Sequence, residues 1–266
     1  MKDINSCNIH KLEELIEKAA SPVIVTHTKP DGDAIGSTVA LYHYLASIGK
    51  HSRIVINDEA PSYLDFITSK ITKDDLIIHK QKPEEARSAI ASADLIICLD
   101  FNAFHRTDAL EQVLSESKAA KILIDHHLNP DREKFSLSFS ETEISSASEL
   151  VYQILLCTPL IDGDAARLPE ACATALMTGM TTDTNNFANS VYPSTLRMAS
   201  DLIETGIDRA FILSNLYNQY SETRMRLMGH VLKDLMTITS DGVAYIVLDK
   251  KVLQDYHIEE GEKEGF

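Results

Sequence analysis

Short apolar runs alternate with longer stretches of helical periodicity through the first half of the chain. The runs are Val23-Ile24-Val25, Ile54-Val55-Ile56, Leu76-Ile77-Ile78, Leu95-Ile96-Ile97-Cys98-Leu99 and Ile122-Leu123-Ile124. They are rich in β-branched residues and unbroken by polar positions. Strands buried on both faces of a parallel sheet read this way, whereas one-sided strands alternate. Between the runs lie IHKLEELIEKAA, AIGSTVALYHYLASIG, PEEARSAIA and DALEQVLSES, which carry helical periodicity. Pro83 suits a first helical position. The pattern predicts an α/β fold with a doubly wound, mainly parallel sheet. Ligands in such sheets bind beyond the carboxyl ends of the strands.

From about residue 143 the pattern turns helical, in ISSASELVYQILL, LPEACATALMTGM and TLRMASDLIETG. Residues 206–235 are polar, helix-prone and free of Pro, and read as one or two connecting helices. MTITSDGVAYIVLD then alternates on either side of Asp241-Gly242, which is a strong hairpin signal. The expected organisation is a larger α/β domain over 1–195, a helical linker over 196–234, and the start of a second, smaller α/β domain over 235–266. The last segment holds about 30 residues, too few for an independent domain.

Composition narrows the class without changing the fold. Hydrophobic residues make up 44% of the 266 and charged residues 24%, as in ordinary globular proteins. No apolar run approaches the length of a membrane-spanning helix. MKDINSCNIHKLEELIEKAA lacks the apolar centre of a secretory signal, so a cytoplasmic location and no membrane partner are expected. Cys7, Cys98, Cys157 and Cys172 are far apart and form no CxxC pair. Cys98 and Cys172 sit in apolar surroundings and read as buried free thiols; a zinc-thiolate site or disulfide framework does not fit. The net charge of −15 argues against a broad basic face for long duplex nucleic acid. It leaves room for a small phosphorylated substrate, because bound divalent cations reverse the local field.

The candidate chemistry sits at the ends of the apolar segments. THTKPDGDAIGS follows the first run and holds His27, Asp31 and Asp33. Asp100 follows the fourth run, and Asp125-His126-His127 ends the fifth. Asp183 ends the helix-like ATALMTGMTT. Each has a plain structural reading. Asp33 suits a helix N-cap, with Pro30 and Gly32 making the turn before it. Asp100 alone suits a turn, and a lone histidine a buried hydrogen-bonded residue. Together they form an oxygen and nitrogen ligand set without sulfur, which suits Mn²⁺ or Mg²⁺. Two such metals are the common device for in-line displacement at phosphorus.

THTKPDGDAIGS, CLDFNAFHR, LIDHHLNP and TTDTNNF resemble, in order, the four motifs of the DHH phosphoesterases. The resemblance covers roughly residues 8–200. It is closest to the nanoRNase subgroup, the bifunctional oligoribonuclease and PAP phosphatases, which are RecJ-like and exopolyphosphatase-related. It implies that His27 and Asp31 hold one divalent cation and that Asp33, His126 and Asp183 hold a second, with Asp100 bridging. His127 is implied to face the substrate phosphate, and Asp125 to orient a neighbouring histidine. Arg106 is a further phosphate contact, equally well read as a surface residue. The cofactor implied is a pair of divalent metal ions, Mn²⁺ favoured over Mg²⁺ or Co²⁺. The substrates implied are short RNA oligonucleotides, linear dinucleotides or 3′-phosphoadenosine-5′-phosphate (PAP). Two alternatives stand beside this: inorganic pyrophosphatase or exopolyphosphatase chemistry on the same core, and a non-catalytic metal-dependent nucleotide-binding module. A homodimer is compatible with the resemblance.

Two departures from the family pattern appear. Asn185 stands where the fourth motif commonly has Gly, a change that left-handed backbone angles tolerate. IEEGEKEGF resembles an early part of the family's substrate-binding DHHA1 domain, yet the GGGH-type loop of that domain does not follow, and a truncated second domain is expected. Ser145-Ser146-Ala147-Ser148 reads as a helix cap, with phosphate-binding amides as the alternative.

Overall fold

A computed structural model describes residues 3–218 and 221–256. The chain divides into two compact units, Met1–Ile212 and Leu213–Phe266. The first is built on a six-stranded sheet: β1 (Pro22–Val25), β2 (Arg53–Ile56), β3 (Leu76–Ile78), β4 (Leu95–Leu99), β5 (Ala120–Asp125) and β6 (Leu137–Ser140). All neighbours are parallel, in the order β3-β2-β1-β4-β5-β6. The order reverses between β1 and β4, and a crevice opens at such a switch point beyond the strand ends.

The doubly wound α/β reading holds, and β6 is a strand that the apolar runs did not predict. Its sequence, Leu-Ser-Phe-Ser, alternates buried and half-buried positions. It lies at the sheet edge, where one partner suffices and polar residues can stay partly wet.

The helices of the first unit are α1 (Ser6–Lys18), α2 (Gly32–Ser47), α3 (Asp65–Thr68), α4 (Pro83–Ala91), α5 (Glu111–Glu116), α6 (Ala147–Leu156), α7 (Glu170–Asp183) and α8 (Pro193–Glu204). Pro83 is the first residue of α4, as expected. Val23, Val25, Ile96, Cys98 and Leu123 join Ala86, Ile90, Leu110 and Leu114 in one buried cluster with the α4–α5 side. Successive strand residues point to opposite faces. Ile24, Ile54 and Ile97, also buried, therefore serve the other face, where α2 and α6 meet the strands. Cys98 and Cys172 are buried free thiols.

Residues Pro193–Glu204 pack on α6 and α7 through Thr195, Met198, Ala199 and Leu202, within the first compact unit. Helix α9 (Arg209–Tyr217) crosses the division between units. The second unit holds α10 (Glu222–His230), a π-helical turn over Val231–Leu235, strands β7 (Thr237–Ile238) and β8 (Ala244–Tyr245), and α11 (Lys250–Asp255). The two strands form the expected antiparallel hairpin, with Gly242 at φ +82° in its turn. IEEGEKEGF lies outside the described residues.

Candidate metal centre

The site is built at the switch point of the sheet. His27 leaves the end of β1 and Asp100 the end of β4, and these two strands are paired neighbours. Asp125 closes β5, with His126 and His127 directly after it. Asp33 lies in the first turn of α2, and Asp183 is the last residue of α7. Packing of α2 against α7 brings the start of one helix and the end of the other together.

The His27 ring is fixed by its own neighbour. Its Nδ1 lies 2.8 Å from the Thr28 carbonyl oxygen, which can only accept. Nδ1 therefore carries a proton, and Nε2 is the ring nitrogen turned toward the carboxylates. Nε2 lies 3.4 Å from Asp100 Oδ2 and 4.0 Å from Asp31 Oδ1. A second group forms around His126 Nε2, at 3.4 Å from Asp100 Oδ1, 3.7 Å from Asp183 Oδ2 and 4.0 Å from Asp33 Oδ2. Asp100 thus offers one oxygen to each group.

These spacings discriminate between explanations. Most are too long for good hydrogen bonds. They match donor atoms around one cation, where bonds of about 2.0–2.2 Å put neighbouring donors roughly 3–4 Å apart. His27, Asp31 and Asp100 form one group that could hold a metal, and Asp33, His126 and Asp183 another. Asp100 Oδ1 is buried with no hydrogen-bond partner among the described residues, an acceptor left for a cation to satisfy. Asp100 also sits at φ +62°, a left-handed conformation that Asp adopts more readily than most residues.

The charge pattern fits a cation as well. Burial, then the nearby Asp100 and Asp183 carboxylates, push the Asp33 carboxyl well above the usual range. Burial raises Asp183 to about 6, against His126 and reinforced by Asp100 and Asp31. Burial disfavours ionised Asp100, yet His126 and His27 hold it down at about 2. Burial also opposes protonation of His126, but Asp100, Asp33 and Asp183 raise it to about 10. The cluster thus gathers protons onto groups that ionised ligands would free. A divalent cation supplies the compensating charge directly.

The sequence reading of the first loop needs two corrections. The N-cap of α2 is Asp31, not Asp33: Asp31 Oδ1 accepts from the N–H groups of Asp33 and Ala34, both at 3.0 Å. Asp31 has the extended backbone a cap requires, whereas Asp33 is already helical. Gly32 does not make the turn; it opens the helix, and Lys29 takes the left-handed angle at φ +50°. Gly32 is needed for space, because a Cβ there would overlap the Thr182 side chain.

Asp33 is held by donors without a side-chain signature. The Ala147 N–H donates to Asp33 Oδ2 at 2.6 Å and the Ser148 N–H to Oδ1 at 2.9 Å. Both amides open α6, where the dipole favours an anion. Ser146 is the N-cap, accepting from the Glu149 N–H at 2.9 Å, so Ser145–Ser148 is a cap whose free amides bind a carboxylate. Gly179 leaves room for this arrangement. A Cβ there would overlap Ser148 Oγ and stand 2.8 Å from Asp33 Oδ1.

The remaining candidates divide. His127 Nδ1 lies 2.8 Å from Asp125 Oδ1, and Asp125 is fully buried. This ties His127 in place and leaves its Nε2 unengaged. Arg106 is exposed, and no side-chain partner holds it among the described residues. Its carbonyl oxygen accepts from Thr28 N–H at 2.8 Å, next to His27. Asn185 takes φ +46°, the left-handed angle foreseen for it, and Asn186 and Phe187 follow at +55° and +69°. Sequence reasoning missed Asp58. Its carboxylate accepts from Thr28 Oγ1 at 2.5 Å and Lys29 N–H at 2.8 Å, and pairs with Lys80, so it pins the loop between His27 and Asp31. A strand end reading Ile-Asn-Asp was the available signal.

The profile of the DHH family, N-terminal domain, matches residues 22–180. The chain belongs to the DHH family. The matched span takes in both strand ends of the switch point and stops just before Asp183. A structure described as an exopolyphosphatase-related protein from Bacteroides fragilis aligns with all of this DHH chain at 36% identity and TM-score 0.90, over 76% of its own length. The bifunctional oligoribonuclease and PAP phosphatase NrnA of Thermus thermophilus is 29% identical over 82% of the chain. The cyclic-di-AMP phosphodiesterase GdpP of Geobacillus thermodenitrificans is 29% identical over 76% of it. The matches span 60% of the first relative and 30% of the second. No helix among the described residues is long and apolar enough to cross a membrane.

Proposed function

We propose that the chain is a metal-dependent phosphoesterase that hydrolyses short oligoribonucleotides, linear dinucleotides and PAP. The observation that carries this reading is the pair of ligand groups joined through the two oxygens of Asp100. The name of the Thermus relative supports the substrate class. His27 and Asp31 would hold one divalent cation and Asp33, His126 and Asp183 the other, with Asp100 offering an oxygen to each group. Two cations, Mn²⁺ favoured, would supply the lowered water pKa and the positive charge that in-line displacement at phosphorus needs.

The protein's own groups do the rest. The β1 and β4 ends and the two helix termini fix the carboxylates before substrate arrives, so little reorganisation accompanies reaction. Asp125 accepts the Nδ1 proton of His127 and turns Nε2 toward the substrate phosphate. When Nε2 is protonated it donates a hydrogen bond to a phosphoryl oxygen. Arg106, exposed and with its carbonyl bonded to the Thr28 N–H, would be a second phosphate contact. The expected location is the cytoplasm.

The test is incubation of the chain with a 5′-phosphorylated diadenylate, PAP, pyrophosphate, polyphosphate and cyclic-di-AMP, each with Mn²⁺. Nucleoside monophosphate release from the linear dinucleotide, abolished in Asp100→Ala, is expected. Undiminished turnover in Asp100→Ala would falsify the metal assignment. Turnover of pyrophosphate or polyphosphate in place of the dinucleotide would move the reading to the exopolyphosphatase class, and turnover of cyclic-di-AMP alone to the class named by the Geobacillus relative.

A further inference from the structure

Glu149 is fully buried on α6, and neither ligand group includes it. Three donors converge on one of its oxygens. Oε2 accepts from Ser145 N–H at 3.1 Å, Ser145 Oγ at 2.5 Å and Thr195 Oγ1 at 2.7 Å. Thr195 is itself fully buried and accepts from the Tyr192 N–H at 3.1 Å, so its proton is committed to Glu149. Oε1 is buried without a hydrogen-bond partner among the described residues.

The sequence Ser146-x-x-Glu149 is a capping-box pattern, in which the acidic residue reaches back to the N-cap N–H. Here Glu149 reaches one residue further, to Ser145, and across to the start of α8. An ordinary capping box closes the first turn on itself. This one clamps the segment before the helix while the first two helical amides, of Ala147 and Ser148, stay open for Asp33. Full burial of this side chain strips it of water, a cost that capping alone does not require. An exposed Glu would cap as well.

We infer that Glu149 is a positioning residue for the buried ligand group: with Thr195 it locks the Ser145–Ser148 turn so that two amides present Asp33 to His126 and Asp183. The inference rests on the proposed metal centre. It reaches beyond that centre by assigning the group that sets Asp33 and by predicting which of the two metals depends on it.

The experiment is Mn²⁺ titration of the whole chain, following free Mn²⁺ by electron paramagnetic resonance, with Tm recorded in parallel. Asp33→Asn and Asp31→Asn identify which binding event belongs to which group. Glu149→Ala and Thr195→Val are expected to weaken the Asp33 event by about ten- to hundredfold and to change the other less than about threefold, the scale for groups that orient metal ligands. Glu149→Gln keeps an acceptor at the Oε2 position and is expected to stay within about threefold of the parent. Tyr152→Phe removes a part-buried hydrogen bond to Asp201 from the same helix and serves as the control for lost stability alone. Where Glu149→Ala does not fold, Thr195→Val and Glu149→Gln decide. Lowered Tm with both events unchanged, or both events weakened equally, overturns the inference. So does a parent chain that binds no Mn²⁺. A chain that binds two Mn²⁺ with the predicted asymmetry yet hydrolyses nothing defeats the proposed function and leaves this inference standing.

Discussion

The two proposed ligand groups meet at Asp100 but are built to different standards. The His27 group relies on Asp31, whose side chain is 58% exposed on a loop. The Asp33 group relies on a carboxylate that is 1% exposed and gripped by two backbone amides at a helix N-terminus. The first set has one wet ligand, Asp31, beside the buried His27 and Asp100, whereas the second is anchored by a carboxylate wholly enclosed between two helices. Preorganisation of the second set lowers the cost of filling it. The buried group should therefore fill first as Mn²⁺ is added, and the exposed group should set how much metal the activity requires.

The largest effect should come from the residue that abolishes the difference. Asp100→Asn removes charge from both groups at once while keeping a residue that tolerates φ +62°. Activity on a dinucleotide should fall by on the order of a thousandfold or more, the scale of losing a centre's electrostatic stabilisation, and both Mn²⁺ events should weaken. Retention of either event at full strength would show that Asp100 does not bridge.

Gly179→Ala should strike the buried group alone. The added methyl forces Ser148 or Asp33 aside, so stability should fall by roughly 1–3 kcal/mol and the Asp33 event should fade. Denaturant melts with and without Mn²⁺ read both quantities. Equal metal stabilisation in parent and variant would mean the cradle is not selective.

The exposed group can be split into its two jobs. Asp31→Asn keeps a good N-cap and loses a charge, so metal affinity should drop with Tm nearly unchanged. Asp31→Ala should lose the same affinity and a further stability of about 1 kcal/mol. Identical Tm values for the two variants would remove the cap from the account.

The smallest effect concerns acid. Burial works against ionised Asp58, but Lys80, Thr28, Asn57 and the Lys29 N–H hold its carboxyl below the usual range. Its folded-state value is depressed, so its stabilisation is present above the unfolded value of about 4 and is lost as pH falls toward the folded value. Stability curves from pH 6 down to 2 should be steeper at the acid end for the parent than for Asp58→Asn. Parallel curves would leave the loop between His27 and Asp31 without this anchor.

Much of this was legible beforehand, for physical reasons. β1 to β5 announced themselves because strands buried on two faces are unbroken apolar runs. β6 did not, because an edge strand alternates and Ser-Leu-Ser-Phe-Ser looks like loop. The site's side chains were visible because they follow strand ends. The grip on Asp33 was not, because backbone amides of Ala147 and Ser148 leave no trace in residue type. Asp31 and Asp33 exchanged capping roles because either fits the pattern and only the backbone angle at Asp31 decides.

Asp31 Oδ1 has one further consequence. The oxygen that accepts from the Asp33 and Ala34 amides also faces His27 Nε2. A cation that draws on that oxygen makes it a poorer acceptor and weakens both amide hydrogen bonds. The backbone resonances of Asp33 and Ala34, and their rates of exchange with heavy water, are thus native gauges of occupancy at the exposed group, read without a label, a substrate or a turnover.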